Sequence, residues 1–115
     1  MADKNLNVGP LALTTTLTTN VYAGAGGSAL IEDLIVQMRI SNKTGAVAKW
    51  TLYKGATGAN AAGTEIGVGQ AVPANDYVDI YFTPGLKLGV ADFIVGGSDT
   101  TLALTFMAFG KQRVI

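Results

Sequence analysis

Turn-forming residues break this sequence at short intervals, and the blocks between them are patterned for strands. Breaks stand at Gly24, Gly26 and Gly27, at Asn42 and Gly45, at Pro73 and Asn75, at Pro84 and Gly85, and at Gly96 and Gly97. Gly punctuates a chain because it tolerates positive φ, and Pro because it fixes φ and lacks an amide donor. The block at 77–83 shows the pattern between breaks most plainly, with Val78, Ile80 and Phe82 alternating with Tyr77, Asp79 and Tyr81. A period of two puts the first set on one face of a strand and the second on the other.

The remaining blocks follow suit. Residues 11–22 are dense in Thr and Leu and read as a first strand, since β-branched side chains suit a pleated surface. In 29–41, Leu30, Leu34 and Met38 sit four apart as on a helix. The alternation of Val36, Met38 and Ile40 with Gln37 and Arg39 decides for a strand. The turn at 42–45 implies a hairpin to 46–54, with Ala48, Trp50, Leu52 and Lys54 on one face and Val47, Lys49, Thr51 and Tyr53 on the other. Pro84 and Gly85 fit a type II turn leading to short strands at 86–90 and 92–95, and 96–99 closes a hairpin onto 100–109.

Two segments lack such a pattern. Residues 1–10 read as an extended N-terminal arm, and the Gly/Ala-rich stretch 55–71 as a long loop. Seven or eight short strands without a convincing helix predict an all-β fold, an antiparallel, jelly-roll-like β-sandwich forming one domain over 11–115. Trp50, Leu52, Val78, Ile80, Phe82, Leu102, Leu104 and Phe106 are the expected core. A chain of 11.8 kDa buries roughly 65% of the surface its unfolded form exposes, so no staple is needed.

Composition limits the chemistry. With no His and no Cys there is no ordinary proton shuttle near neutral pH, no Ser-His or Cys-His nucleophile and no zinc site of the usual ligands. Two carboxylates alone can hydrolyse a glycoside when ~5 to 10 Å apart. Neither Asp76 with Asp79 nor Glu32 with Asp33, which point to opposite strand faces, marks such a pair. The Gly-rich stretch 24–29 lacks the following helix a dinucleotide loop requires. Ser28, Ser41 and Ser98 stand beside turn residues and outside any nucleophile elbow. The expectation is therefore no enzyme, with no catalytic, cofactor-binding or metal site.

Arg39, Lys43, Lys49, Lys54, Lys111 and Arg113, with Trp50 or Tyr53 for stacking, are the residues nucleic-acid binding would use. Eight acids balance eight bases, whereas phosphate recognition leaves a basic domain, so no direct nucleic-acid partner is expected. No apolar run approaches the ~20 residues of a membrane helix, so no membrane partner is expected either. The residues from Met1 to Asn5 show no signal peptide, and the sequon at 42–44 is read as a chance match. Hydrophobic residues make up 49% of the chain and charged ones 14%, against ~25% charged in soluble domains. With a formal net charge of zero, this predicts a covered surface and a homo-oligomer, a trimer ahead of a dimer.

Several stretches carry a resemblance. The Thr-rich block, the run from Ile40 to Gly55, the Val-Pro-Ala-Asn-Asp turn at 72–76 and the closing run from Thr101 to Gly110 resemble small β-sandwich virion proteins of tailed bacteriophages, over roughly 11–110. The resemblance implies a jelly-roll-like sandwich and a role in capsid decoration or cement, head fibres or tail-fibre modules. It implies no catalytic residue. The leading expectation is a decoration protein on the capsid exterior, made in the host cytoplasm and bridging major capsid protein subunits. A tail, adaptor or fibre module is the alternative, and a carbohydrate-binding sandwich using Tyr77, Tyr81 and Trp50 is another. The arm at 1–10, with Lys4 and Leu6, and secondarily the 55–71 loop are the expected capsid contacts, because both would be ordered only on docking.

Overall fold

The computed structural model describes residues 4–24, 30–56, 58 and 64–114. Among these residues the strands are β1 (Lys4–Ala12), β2 (Asn20–Ala23), β3 (Ile31–Asn42), β4 (Ala48–Gly55), β5 (Glu65–Val72), β6 (Tyr77–Leu88), β7 (Phe93–Ser98) and β8 (Leu104–Val114). They form two four-stranded sheets, ordered β1-β8-β3-β6 and β2-β7-β4-β5. Pairing is antiparallel throughout, with β1 on β8, β2 on β7, β3 on β6 and β4 on β5. The chain thus doubles back between β4 and β5, and the doubled ribbon rolls into two layers. That is the jelly-roll arrangement, and the all-β sandwich expected from the sequence is what the chain forms.

Rolling a doubled ribbon separates sequence neighbours that look like hairpins. β3 and β4 lie in different sheets, and so do β7 and β8. At the first corner the buried Asn42 carries the turn: its amide donates to the carbonyls of Ala46 (2.8 Å) and Val72 (3.1 Å). Its Oδ1 accepts from the Thr44 amide (2.9 Å) and hydroxyl (2.7 Å). An Asn so engaged redirects the chain instead of closing a hairpin. At the second corner Gly96 to Ser98 still belong to β7, and the turn follows at Leu102 with φ 62°. The left-handed backbone swings Leu102 outward to 53% exposure, so it is not a core residue, and Ala103 and Leu104 are buried instead.

Four other expectations are corrected. Pro84 and Gly85 do not end a strand: β6 runs through them, and the register jumps between Ile35↔Leu86 and Gln37↔Tyr81. β6 is an edge strand, where a missing amide costs no ladder bond. Most of the segment read as a free arm is β1, paired along β8 from Lys4↔Gln112 to Ala12↔Thr105. An edge strand held by backbone bonds and two inward apolar residues, Leu6 and Val8, leaves little pattern to read. Residues 1–3 lie outside the described residues. Within 55–71, Gly55 ends β4 and the residues from Glu65 onward form β5, with Ile66 against the core; 57 and 59–63 lie outside the described residues. The Thr-rich block is mainly a crossover, since 13–19 connects β1 to β2 and pushes Leu13 into the core.

The core lies between the sheets. Trp50, Leu52, Leu104 and Phe106 are buried as expected, and Val78, Ile80 and Phe82 pack against them half-buried. Ile35, Met38 and Ile40 of β3, with Leu88 and Ile94, complete the centre. A polar pin joins the layers, in which the buried Asp33 accepts from Tyr22 Oη (2.5 Å) and Gln112 Nε2 (2.9 Å). Burial first, and then the bond to this carboxylate, pushes the Tyr22 phenol above its ordinary pKa. The Trp50 indole N–H finds no partner among the described residues.

Candidate functional site: an open sheet face

Alternation in β3 sorts the long-strand sheet, β1-β8-β3-β6, into two faces. Asp33, Ile35, Met38 and Ile40 are buried, so Glu32, Leu34, Gln37 and Arg39 point outward. Register then aligns the outer face in rows. Leu34 stands between Lys87 and Lys111, Gln37 between Tyr81 and Phe109, and Arg39 between Asp79 and Met107.

One end of this face is aromatic. Arg39 donates to both oxygens of Asp79, at 2.7 and 3.1 Å, and its guanidinium lies 4.3 Å from the centre of the Tyr77 ring. The two-bonded pair holds the Asp79 carboxyl below the usual carboxylate range and raises the Arg39 guanidinium. Tyr77 is exposed beside it, and Tyr81 is 68% exposed. The other end is cationic. Glu32 accepts two bonds from Arg113, at 2.6 and 2.9 Å, and lies 3.9 Å from Lys87.

Between the two ends is a hollow of about 440 Å³. Gly110 lies at its floor: a side chain there would collide with the Leu34 carbonyl, so β3 and β8 approach closely beneath it. Leu34, Val36 and Phe109 wall it, Asn5 and Asn7 flank it on the β1 side, and Lys111 stands at its rim.

The short-strand sheet, β2-β7-β4-β5, is finished differently. The crossover after β1 runs along β7, where Gly96 donates to the Thr19 carbonyl (2.9 Å) and Ser98 to that of Thr14 (2.8 Å). Gly97 is buried against the Thr14 carbonyl, so a side chain there would collide with it. The chain itself closes part of this outer surface.

The residues singled out from the sequence fall as follows. Lys4 is exposed at the start of β1, opposite Gln112, and Leu6 borders the hollow while packing on the core. Tyr77 and Tyr81 share the open face, but Trp50, 3% exposed, is no stacking platform. Glu32 and Asp33 do point to opposite faces. Asp76 accepts from the Tyr77 amide and Asp79 is held by Arg39, so each of these carboxylates already has a partner. Ser98 is buried and accepts from the Thr100 amide, and Ser28 lies outside the described residues. The basic residues are dispersed, with Arg39, Lys111 and Arg113 on the open face, Lys43 after β3, and Lys49 and Lys54 on β4. Among the described residues no group of three or more acidic residues could hold a metal ion. The hollow was not legible beforehand, because its lining comes from β1, β3 and β8, which only the sheet brings side by side.

No protein-family model matches this sequence, and no curated protein matches it. Among solved structures, the chain is similar to one in the structure of infectious bursal disease virus, Gt strain, with a TM-score of 0.31 and 10% identity. That likeness covers 96% of this chain and 28% of the viral one.

Proposed function

We propose that this chain is a structural virion protein, a capsid decoration or cement protein that binds the outside of a phage head and bridges neighbouring major capsid subunits. The observation that carries the reading is the asymmetry of the two outer faces. The short-strand sheet is partly closed by its own chain, while the long-strand sheet presents Tyr77, Tyr81, Leu34, Val36 and Phe109 on a rigid platform. Exposed apolar and aromatic groups on a rigid sheet bury area on docking at a small cost in conformational freedom.

The edges support docking through the face. Both edge strands of the open sheet carry a proline beside a register shift, Pro10 in β1 and Pro84 in β6. Such breaks discourage strand addition and leave the face as the surface for association. A shell offers many equivalent seams, so modest contacts per copy add up when a closed oligomer, a trimer ahead of a dimer, engages several at once. The resemblance to small phage virion sandwiches supplies the class of partner. Lys4 and Leu6 remain proposed contacts, as members of β1 at the margin of the open face.

A second reading draws on Tyr77 and Tyr81, which stand four residues apart on one strand, about 13 Å, as two exposed rings on which sugars could stack. Arg39 already lies over Tyr77, which weakens that reading. The test is sedimentation of the purified protein with heads of the same virus assembled without it. Co-sedimentation that saturates at a fixed number of copies per capsomer is expected, with heads that resist heat better. Attachment only to tails, or binding to oligosaccharide with none to heads, would overturn the proposal.

A further inference from the structure

We infer that the hollow over Gly110 is a socket for one bulky apolar side chain carried by an acidic, extended segment of the partner protein. The inference deepens the docking reading and rests on it. At about 440 Å³ the hollow far exceeds the ~30 Å³ share of one water. Its walls are Leu34, Val36 and Phe109, which shed hydration when an apolar group fills the space. Asn5 and Asn7 offer amide donors and acceptors to the backbone of an incoming chain.

Charge selects the occupant. Lys87 and Lys111 flank Leu34 in register, and Arg113 lies beyond, against the outward carboxylate of Glu32 at this end of the face. Glu32 is already shared by Arg113 and Lys87, and Lys111 makes no ion pair among the described residues. Carboxylates flanking the inserted side chain would complete the arrangement. A second copy docking through this same patch would oppose cation to cation. A phosphate backbone would meet the charge and leave the apolar walls uncovered.

The experiment is a nuclear magnetic resonance titration of the full chain with a pentapeptide whose central phenylalanine has two aspartates on each side. Two control peptides carry alanine at the centre or lysines at the flanks. Shifts are expected to cluster at residues 34–36 and 109–111, with binding at least tenfold tighter than for either control. Lys111→Glu should reverse the preference between aspartate and lysine flanks, and Val36→Asp should abolish binding, each with a dispersed spectrum showing an intact fold. Equal response to the alanine peptide, shifts outside the cluster, or tighter binding of an oligothymidylate of equal charge would overturn the inference. Head binding separates the two proposals. A protein that decorates heads but fails the peptide test loses the socket and keeps the decoration role, and the converse result does the opposite.

Discussion

The two sheets of this sandwich share one core and differ in how their outer sides are finished. The long-strand sheet has strands of 9, 11, 12 and 12 residues and displays large side chains, and the three ion pairs found among the described residues all lie on it. The short-strand sheet has strands of 4, 6, 8 and 8 residues, and its β7 is so rich in glycine that the crossover at 13–19 can lie against it backbone to backbone. Small residues admit the chain's own covering segment, and large ones hold an opening for something else. Gly96 and Gly97 let the chain close over one face, while Tyr77, Tyr81, Phe109 and the charged rows leave the other available.

The largest effects are expected in the core that the two sheets share. Phe106, buried on β8 in the common core, should cost about 3–5 kcal/mol when cut to alanine, and Leu52→Ala on β4 about 2–5 kcal/mol. Chemical denaturation measures both. Comparable losses would show one core serving two sheets, whereas an unchanged midpoint for either would mean that its sheet does not depend on the core.

A smaller pair of changes separates the outer sides. Gly97→Ala drives a methyl group into the Thr14 carbonyl and should destabilise by about 1–3 kcal/mol. Val36→Asp, at a site 41% exposed on the open face, should stay within about 1 kcal/mol. Thermal melts of the two variants give the contrast. If Val36→Asp proves the more costly, the open face is a structural surface and not a spare one.

The smallest effect is acid sensitivity confined to the open face. Asp79 titrates below its unfolded value because Arg39 binds its ionised form. Its stabilisation is therefore complete above the ordinary ~3.9 of an aspartate and is lost as pH falls through the lower folded value. Melting temperatures of wild type and Asp79→Asn measured downward from pH 5 should converge as the acid limit is approached. A constant gap across that range would show that the pair contributes nothing through its charge.

Local patterns in the sequence were legible, and the pairings between them were not. The alternation at 77–82 and the face of Trp50 and Leu52 named inward residues correctly, because burial is written every second residue. The corners misled, since Asn42 and the stretch after Ser98 use hairpin chemistry to carry the chain between sheets. The parity of 102, 104 and 106 points Leu102 inward, and its own left-handed backbone interrupts that parity. β1 is hard to read because an edge strand with Gly9 and Pro10 shows little periodicity until β8 lies beside it. Of the candidate site, Tyr77 and Tyr81 were legible as one strand face. The hollow was not, since its lining comes from three strands, β1, β3 and β8, far apart in sequence.

Lysine labelling tests most directly the claim that the open sheet face is the docking side. Lys87 and Lys111 report on that face, and the exposed Lys49 of β4 reports on the short-strand sheet. The protein would be acetylated free and bound to heads, and the extent of modification at each lysine read by mass spectrometry. The account predicts that Lys87 and Lys111 become protected on binding while Lys49 reacts as before. Protection of Lys49 with Lys87 and Lys111 still fully reactive would contradict it.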